Sequence, residues 1–178
     1  MSIFLTEADE GRIRRWVEAL ESDRIGSSSD EETAARIGLP YPIAGVGKHR
    51  VVFDAGEGLV LKVAKVQEGV ERNGTEVWLY DRSPPELRRH LCPIVDFGYG
   101  WIVMKKMAAR VPSRDRYVEQ LDRICEGFLA AGLVIMDLYA RRLNRPKQGN
   151  VRFDEKRDKV VLIDYADVRI VSGSPGEA

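Results

Sequence analysis

At residue 41 the apolar pattern changes period, and that change limits the folds open to the chain. Before it, Ile13, Trp16, Val17 and Leu20 fall at i, i+3, i+4 and i+7, the spacing that lines one face of a helix. After it, residues 43–66 (IAGVGKHRVVFDAGEGLVLKVAKV) set β-branched runs on both sides of a Gly-bearing turn, which predicts an antiparallel meander. A helical pattern returns over Val70–Asp81. Pro93–Met107 then predicts two strands around the turn Gly98-Tyr99-Gly100, and Arg114–Ala131 a helix with Val118, Leu121, Ile124, Cys125 and Phe128 on one face. Two short strands, Leu133–Met136 and Val160–Ile163, close the chain. Strands with one helix, followed by mostly helix, predict an α+β fold of two lobes: an antiparallel-sheet N-lobe and a much reduced helical C-lobe.

The segment before the change reads as two helices. Thr6 with Asp9 three residues later caps the first, over residues 6–21. The polar, Gly/Ser-rich stretch Ser22–Asp30 reads as a linker whose end caps a second helix, Glu31–Ile37, stopped by Gly38 and Pro40. The expected organisation is an N-terminal helical appendage and linker over 1–40, an N-lobe over 41–107 and a reduced C-lobe over 108–178, with Trp16 a core residue.

Composition removes several classes of function. The 28 basic and 28 acidic residues balance, so no global field draws the chain to nucleic acid or to an anionic membrane surface. Residues 29–40 resemble the start of a helix-turn-helix, but Pro40, Pro42 and a β-branched run stand where a recognition helix belongs. The first ten residues, MSIFLTEADE, lack the basic and apolar regions of a signal peptide, and no apolar run is long enough to span a membrane. Cys92 and Cys125 have neither metal nor redox spacing. The expectation is a soluble protein of the reducing cytoplasm.

Several polar residues stand where folding alone does not ask for them. Lys62 lies inside the apolar run Leu59–Val63, where an ammonium needs an anionic partner unless the strand is an edge with Lys62 on its solvent face. Glu76 is the candidate partner and Glu71 its competitor. Asp137 ends the apolar strand of residues 132–138 (GLVIMDL), Asp164 ends that of residues 160–168 (VVLIDYADV), and Asn150 precedes the latter. Gly45 and Gly47 lie between two strands, either as plain turn residues or as a backbone able to approach phosphate oxygens. A bound nucleoside triphosphate would need these parts: open backbone N–H groups, a fixed cation and carboxylates for magnesium.

In this order the parts resemble the protein-kinase-like superfamily, including its small bacterial or phage-type and small-molecule phosphotransferase members. Ala44–Phe53 resembles the glycine-rich loop, Leu59–Lys62 the Val-Ala-Ile-Lys strand and Glu76 the glutamate that pairs its lysine. Trp101–Met107 resembles the strand leading to the hinge. Gly132–Leu138 resembles the catalytic loop with Asp137 as its aspartate, Asn150 the metal-holding asparagine, and Asp164-Tyr165-Ala166 the Asp-Phe-Gly element. The literal Asp96-Phe97-Gly98 precedes every catalytic-loop candidate and falls in a predicted hairpin, so it is not read as the metal motif. Gly47-Lys48 is no Walker element, since Pro42 and His49 stand where Gly and Ser or Thr belong.

The departures bear on function. Arg50 stands at the third glycine of the loop, Ile135-Met136 replace His-Arg, and Ala166 replaces the metal-motif glycine. Twelve residues, LYARRLNRPKQG, separate Asp137 from Asn150 where the family has four, which makes Asn144 a rival for the asparagine role. Only fourteen residues follow Asp164, so neither an activation segment nor a large substrate-binding lobe is expected. The resemblance implies ATP and Mg2+ as cofactors, with Gly45, Gly47, Lys62, Glu76, Lys105 and Met107 around the nucleotide, Asn150 and Asp164 on the metal, and Asp137 as the catalytic base beside Lys62. Arg141, Arg142, Arg145 and Lys147 form a basic loop, either solvated or drawing a phosphate-rich or acidic substrate. The activity implied is transfer of a phosphoryl group to an unidentified hydroxyl of a small molecule or protein. The alternative is a pseudokinase that binds nucleotide or protein as a regulator.

Overall fold

The computed structural model describes residues 2–22, 29–140 and 144–171. The expected linker falls largely on residues 23–28, outside the described residues. The chain divides into two units, the first of residues 1–78 and 93–106, the second of residues 79–92 and 107–178.

The first unit is built on a five-stranded antiparallel sheet, ordered β1-β2-β3-β5-β4. Its strands are β1 (Ile43–Val46), β2 (Arg50–Gly56), β3 (Leu59–Ala64), β4 (Ile94–Gly98) and β5 (Trp101–Lys105). Helix α1 (Glu7–Glu21) starts where the Thr6 side chain accepts from the Asp9 N–H, with Glu7, Asp9 and Glu10 at the positive end of the helix dipole. Helix α2 (Asp30–Ile37) opens on a full capping box between Ser29 and Glu32 and ends on Gly38 at φ 70°. Both helices contribute to the core of this unit: Ile13, Trp16, Val17 and Ile37 are buried in one cluster with Phe53 and Leu61. Trp16 also donates its indole N–H to the Ala64 carbonyl at 2.7 Å, so a ring of this size loses no hydrogen bond on burial.

Helix α3 (Gln67–Arg82) begins earlier than the sequence pattern predicts and runs into the second unit. Its first turn receives the β1–β2 turn closely, because a Cβ at Gly69 would lie 2.2 Å from the His49 carbonyl.

The second unit follows with α4 (Pro85–Arg88), α5 (Asp115–Ala130), β6 (Leu133–Ile135), β7 (Val151–Asp154), β8 (Lys159–Leu162) and β9 (Val168–Ile170). Helix α5 buries Tyr117, Leu121, Ile124 and Phe128, one stripe at helical spacing. Tyr117 meets Phe153 of β7 edge to face, ring centres 4.8 Å apart. The two strands expected here do not pair with each other: β6 pairs with β9 and β8 with β7, both antiparallel. Neither β7, β9 nor α4 was anticipated. The signal for β7 was present in Val151 and Phe153 flanking Arg152 ahead of the polar turn of residues 155–158.

Candidate functional site

In the first unit the sheet carries a buried charge cluster. Because β3 is the middle strand of five, Lys62 is not on an edge; it lies between Val52 and Ile102 and is 7% exposed. Its ammonium donates to both carboxylate oxygens of Glu76, at 3.2 and 3.1 Å. Glu76 sits on α3, fully buried, whereas Glu71 is exposed, so the partner is Glu76. The same carboxylate meets a second cation, with Arg50 Nη1 3.0 Å from its Oε2. Arg50 also donates to the Asn73 side-chain oxygen at 3.2 Å, and the Asn73 amide donates to the Gly100 carbonyl at 2.9 Å. A carboxylate without exposure is tolerable only with its lone pairs occupied, and two cations satisfy that condition.

Around this cluster lie the other residues expected at a nucleotide. Gly45 faces Val52 in the β1–β2 register, and the Gly47 N–H donates to the Arg50 carbonyl at 2.9 Å, closing the turn. Neither glycine has a positive φ, and a Cβ at Gly45 would meet nothing within 4 Å. The protein's own packing therefore does not demand glycine at that position. Lys105 ends β5 opposite Leu59, exposed. Asp96 lies in β4, where its carboxylate accepts from the Ile3 N–H at 2.9 Å and from the Ser2 hydroxyl; it serves the N-terminal segment.

In the second unit a different cluster forms around Asp137, which follows β6 with φ 60°, a left-handed conformation that an aspartate tolerates better than most residues. The Asn150 amide donates to the Asp137 carbonyl at 2.8 Å and to its carboxylate at 3.1 Å. Lys147 forms an ion pair with the same carboxylate oxygen. The Asn150 carbonyl in turn accepts from the N–H groups of Ile163, at 2.8 Å, and Asp164, at 3.3 Å. One asparagine thus ties Asp137 to the strand end that carries Asp164, and that asparagine is Asn150; Asn144 lies earlier in the insertion, at φ 41°.

The twelve residues between Asp137 and Asn150 do not hold them apart, because the described residues on either side of 141–143 pair with each other. The Ala140 N–H donates to the Arg145 carbonyl at 2.8 Å, the Lys147 N–H to the Leu138 carbonyl at 2.8 Å, and Tyr139 bridges Pro146. Arg141 and Arg142 of the expected basic loop lie outside the described residues; Arg145 is exposed, and Lys147 is committed to Asp137. Tyr165, next to Asp164, is wholly buried and donates to the Cys92 carbonyl at 3.0 Å, which anchors the strand end from inside. Met107 begins the second stretch of the second unit, half-buried.

Burial raises the Tyr139 phenol, helped by its hydrogen bond to Asp122 at 2.5 Å, so it is a neutral donor. Burial, then the neighbouring Arg72 and Lys48, lowers His49 in the turn before β2 and favours a neutral imidazole there.

Sequence reasoning gives no role to Arg50 or Asn73, and it places Lys147 in a basic loop rather than on Asp137. In sequence Arg50 reads only as a departure from the glycine pattern. The signal for Asn73 is its position three residues before Glu76 on one helix face. Nothing local marks Lys147, whose pairing depends on how the insertion folds. Among the described residues no three His, Cys, Asp or Glu groups converge on a metal position. Asp164 and Asn150 are the residues here that could hold a metal: a carboxylate and an amide oxygen are hard donors of the kind magnesium takes, with phosphate and water completing its shell.

No protein-family model and no curated protein matches the chain. Solved structures do. One is WbdD, solved with the kinase inhibitor LY294002, at 19% identity and TM-score 0.53, over 78% of this chain and 35% of that one. Another is the Lpg2603 kinase of Legionella pneumophila, solved bound to IP6, at 17% identity and TM-score 0.51, over 77% of this chain and 53% of that one. The chain thus spans about a third and about half of the lengths of the two structures it matches. At these identities the likeness is one of fold: a mixed α+β, kinase-like fold with a five-stranded antiparallel sheet.

Proposed function

We propose that the chain is an ATP- and magnesium-dependent phosphotransferase acting on a hydroxyl acceptor of a small molecule or protein. The observation that carries this reading is the buried Lys62–Glu76 pair on the middle strand of a kinase-like sheet. In this reading Lys62, braced by Glu76, holds the α- and β-phosphates, and the β1–β2 segment covers them, with open space at Gly45 and with Gly47 closing its turn. Main-chain groups at Lys105 and Met107 receive the adenine. Asp164 and Asn150 would hold Mg2+, which when bound would supply positive charge to the phosphates. Asp137 orients the acceptor hydroxyl and takes its proton, and Asn150 keeps that carboxylate aimed. Lys147 steadies the same carboxylate and adds positive charge where a phosphoryl group would pass. No helix among the described residues is long and apolar enough to cross a membrane. Two free cysteines suit a reducing compartment, and we place the protein in the cytoplasm.

A second reading draws on the ion pair between Lys147 and Asp137, which occupies the carboxylate that transfer needs. The chain would then bind nucleotide or a protein partner as a regulator without turnover.

Phosphate release from ATP with magnesium, measured on the purified chain and on Asp137→Asn, separates the two. The first reading expects turnover that falls about 100-fold or more in the variant. Equal release by both proteins contradicts it, and no release together with nucleotide binding favours the second.

A further inference from the structure

Resting on the proposed nucleotide site, we propose that Arg50 is a positioning residue: it holds Glu76 and α3 where they brace Lys62, so the lysine is set before any nucleotide arrives. Four contacts carry this. Arg50 is 6% exposed, and its Nη1 lies 3.0 Å from the Glu76 carboxylate on one side and 3.2 Å from the Asn73 oxygen on the other. Asn73 and Glu76 are neighbours one turn apart on α3, so a single guanidinium grips the helix at two points. Asn73 is itself fixed to the Gly100 carbonyl at 2.9 Å, which also accepts from the Ala64 N–H at 2.9 Å. The helix is thereby tied to β2 through Arg50, to β3 through Lys62 and to the β4–β5 turn through Gly100.

The chemistry of arginine makes this a fixed arrangement. A guanidinium stays charged and presents its donors in a rigid fork, so it binds a carboxylate and an amide oxygen together without a rotamer search. A lysine–glutamate pair alone leaves the helix free to swing away when the lysine turns to another anion. With Arg50 on the same carboxylate, Glu76 keeps a partner when Lys62 shifts toward phosphate, and the helix stays in place. Glycine at this position, as in the resembled loop pattern, would provide none of these contacts. The consequence is a site whose lysine needs no activating event to be positioned.

The experiment is a double-mutant cycle on the full chain, with Arg50→Met, Lys62→Met and the pair, reading the dissociation constants of ATP with magnesium and of adenosine by calorimetry. Hydrogen exchange of the α3 amides in the ligand-free proteins and an Arg50→Lys variant complete the set. If Arg50 acts through Lys62, Arg50→Met weakens ATP about tenfold, leaves adenosine unchanged and has no further effect once Lys62 is methionine. Exchange in α3 rises while that of α5 does not, and Arg50→Lys restores part of the ATP affinity. Additive losses, or equal losses for ATP and adenosine, overturn the proposal. If the unsubstituted chain binds neither ligand, the proposed nucleotide site falls and exchange alone decides: faster α3 exchange in Arg50→Met upholds the positioning role, and unchanged exchange overturns it.

Discussion

The Asn150 amide donates to two oxygens of Asp137, the carbonyl at 2.8 Å and the carboxylate at 3.1 Å, across an insertion that separates them by twelve residues in sequence. This pair fixes the direction of a carboxylate whose backbone is already held at φ 60°. Asn150→Ala removes both bonds at an exposed site. The expected result is a fall in phosphate release of about 100-fold, with a thermal midpoint within about 3 °C of the parent. Parallel turnover and melting measurements check it.

Glu76 is an exacting position for stability, since its carboxylate is fully buried between two cations. Glu76→Ala leaves Lys62 and Arg50 without the carboxylate they share, and loss of a buried ionic partner costs about 3–5 kcal/mol. For a chain of this length the midpoint should fall by roughly 10 °C. Glu76→Gln, which keeps the shape and one acceptor, should cost less. A drop of under about 2 °C for the alanine variant, measured by circular dichroism, contradicts the buried cluster.

Gly100 carries a conformational demand. Its φ is 80° and a Cβ there would lie 2.5 Å from Val17 Cγ2 on α1, so Gly100→Ala is expected to cost at least about 2 kcal/mol from backbone strain and crowding. Because the Gly100 carbonyl anchors Asn73, exchange of the α3 amides should rise in this variant. Full retention of the midpoint would show that α1 does not pack there.

The pH dependence of stability follows from the histidines. Burial, first of its causes, lowers His90 below the ordinary 6.5, against a hydrogen bond to the Val160 carbonyl and with the neighbouring charges of Lys159 and Arg89. The unfolded chain then binds more protons than the folded one, so stability is fullest above pH 6.5 and is lost as pH falls from there through the folded value. His49, lowered for the same first reason, adds to the effect in the same direction. Urea midpoints between about pH 7.5 and 5 should decline, and His90→Gln should flatten part of that decline. A midpoint that rises on acidification contradicts the assignment.

Several parts of the fold and site were legible in the sequence for physical reasons that can be named. The Thr6 cap and the Gly38 stop are local signals and appear where local chemistry puts them, while the second helix starts one residue before the expected Glu31, capped by Ser29. Lys62 in an apolar strand announced a buried partner, and Glu76 supplies it. Trp16 was expected in the core and is 5% exposed. What escaped depended on distant chain segments meeting. Strand β9 has three residues and is defined by its pairing with β6. Lys147 reaches Asp137 only because the described residues on either side of 141–143 pair with each other. Arg50 read as a missing glycine until Glu76 and Asn73 stood beside it.

The most direct test of the central claim is thermal unfolding of the purified chain with and without saturating ATP and magnesium, alongside Asp164→Asn. Ligand at about a hundred times its dissociation constant stabilises by roughly 2.7 kcal/mol, a midpoint rise of roughly 5–10 °C for a chain this long. The account predicts a rise that requires magnesium and largely disappears in the variant. No shift at saturating nucleotide, or a shift equal in both proteins and indifferent to magnesium, would contradict it.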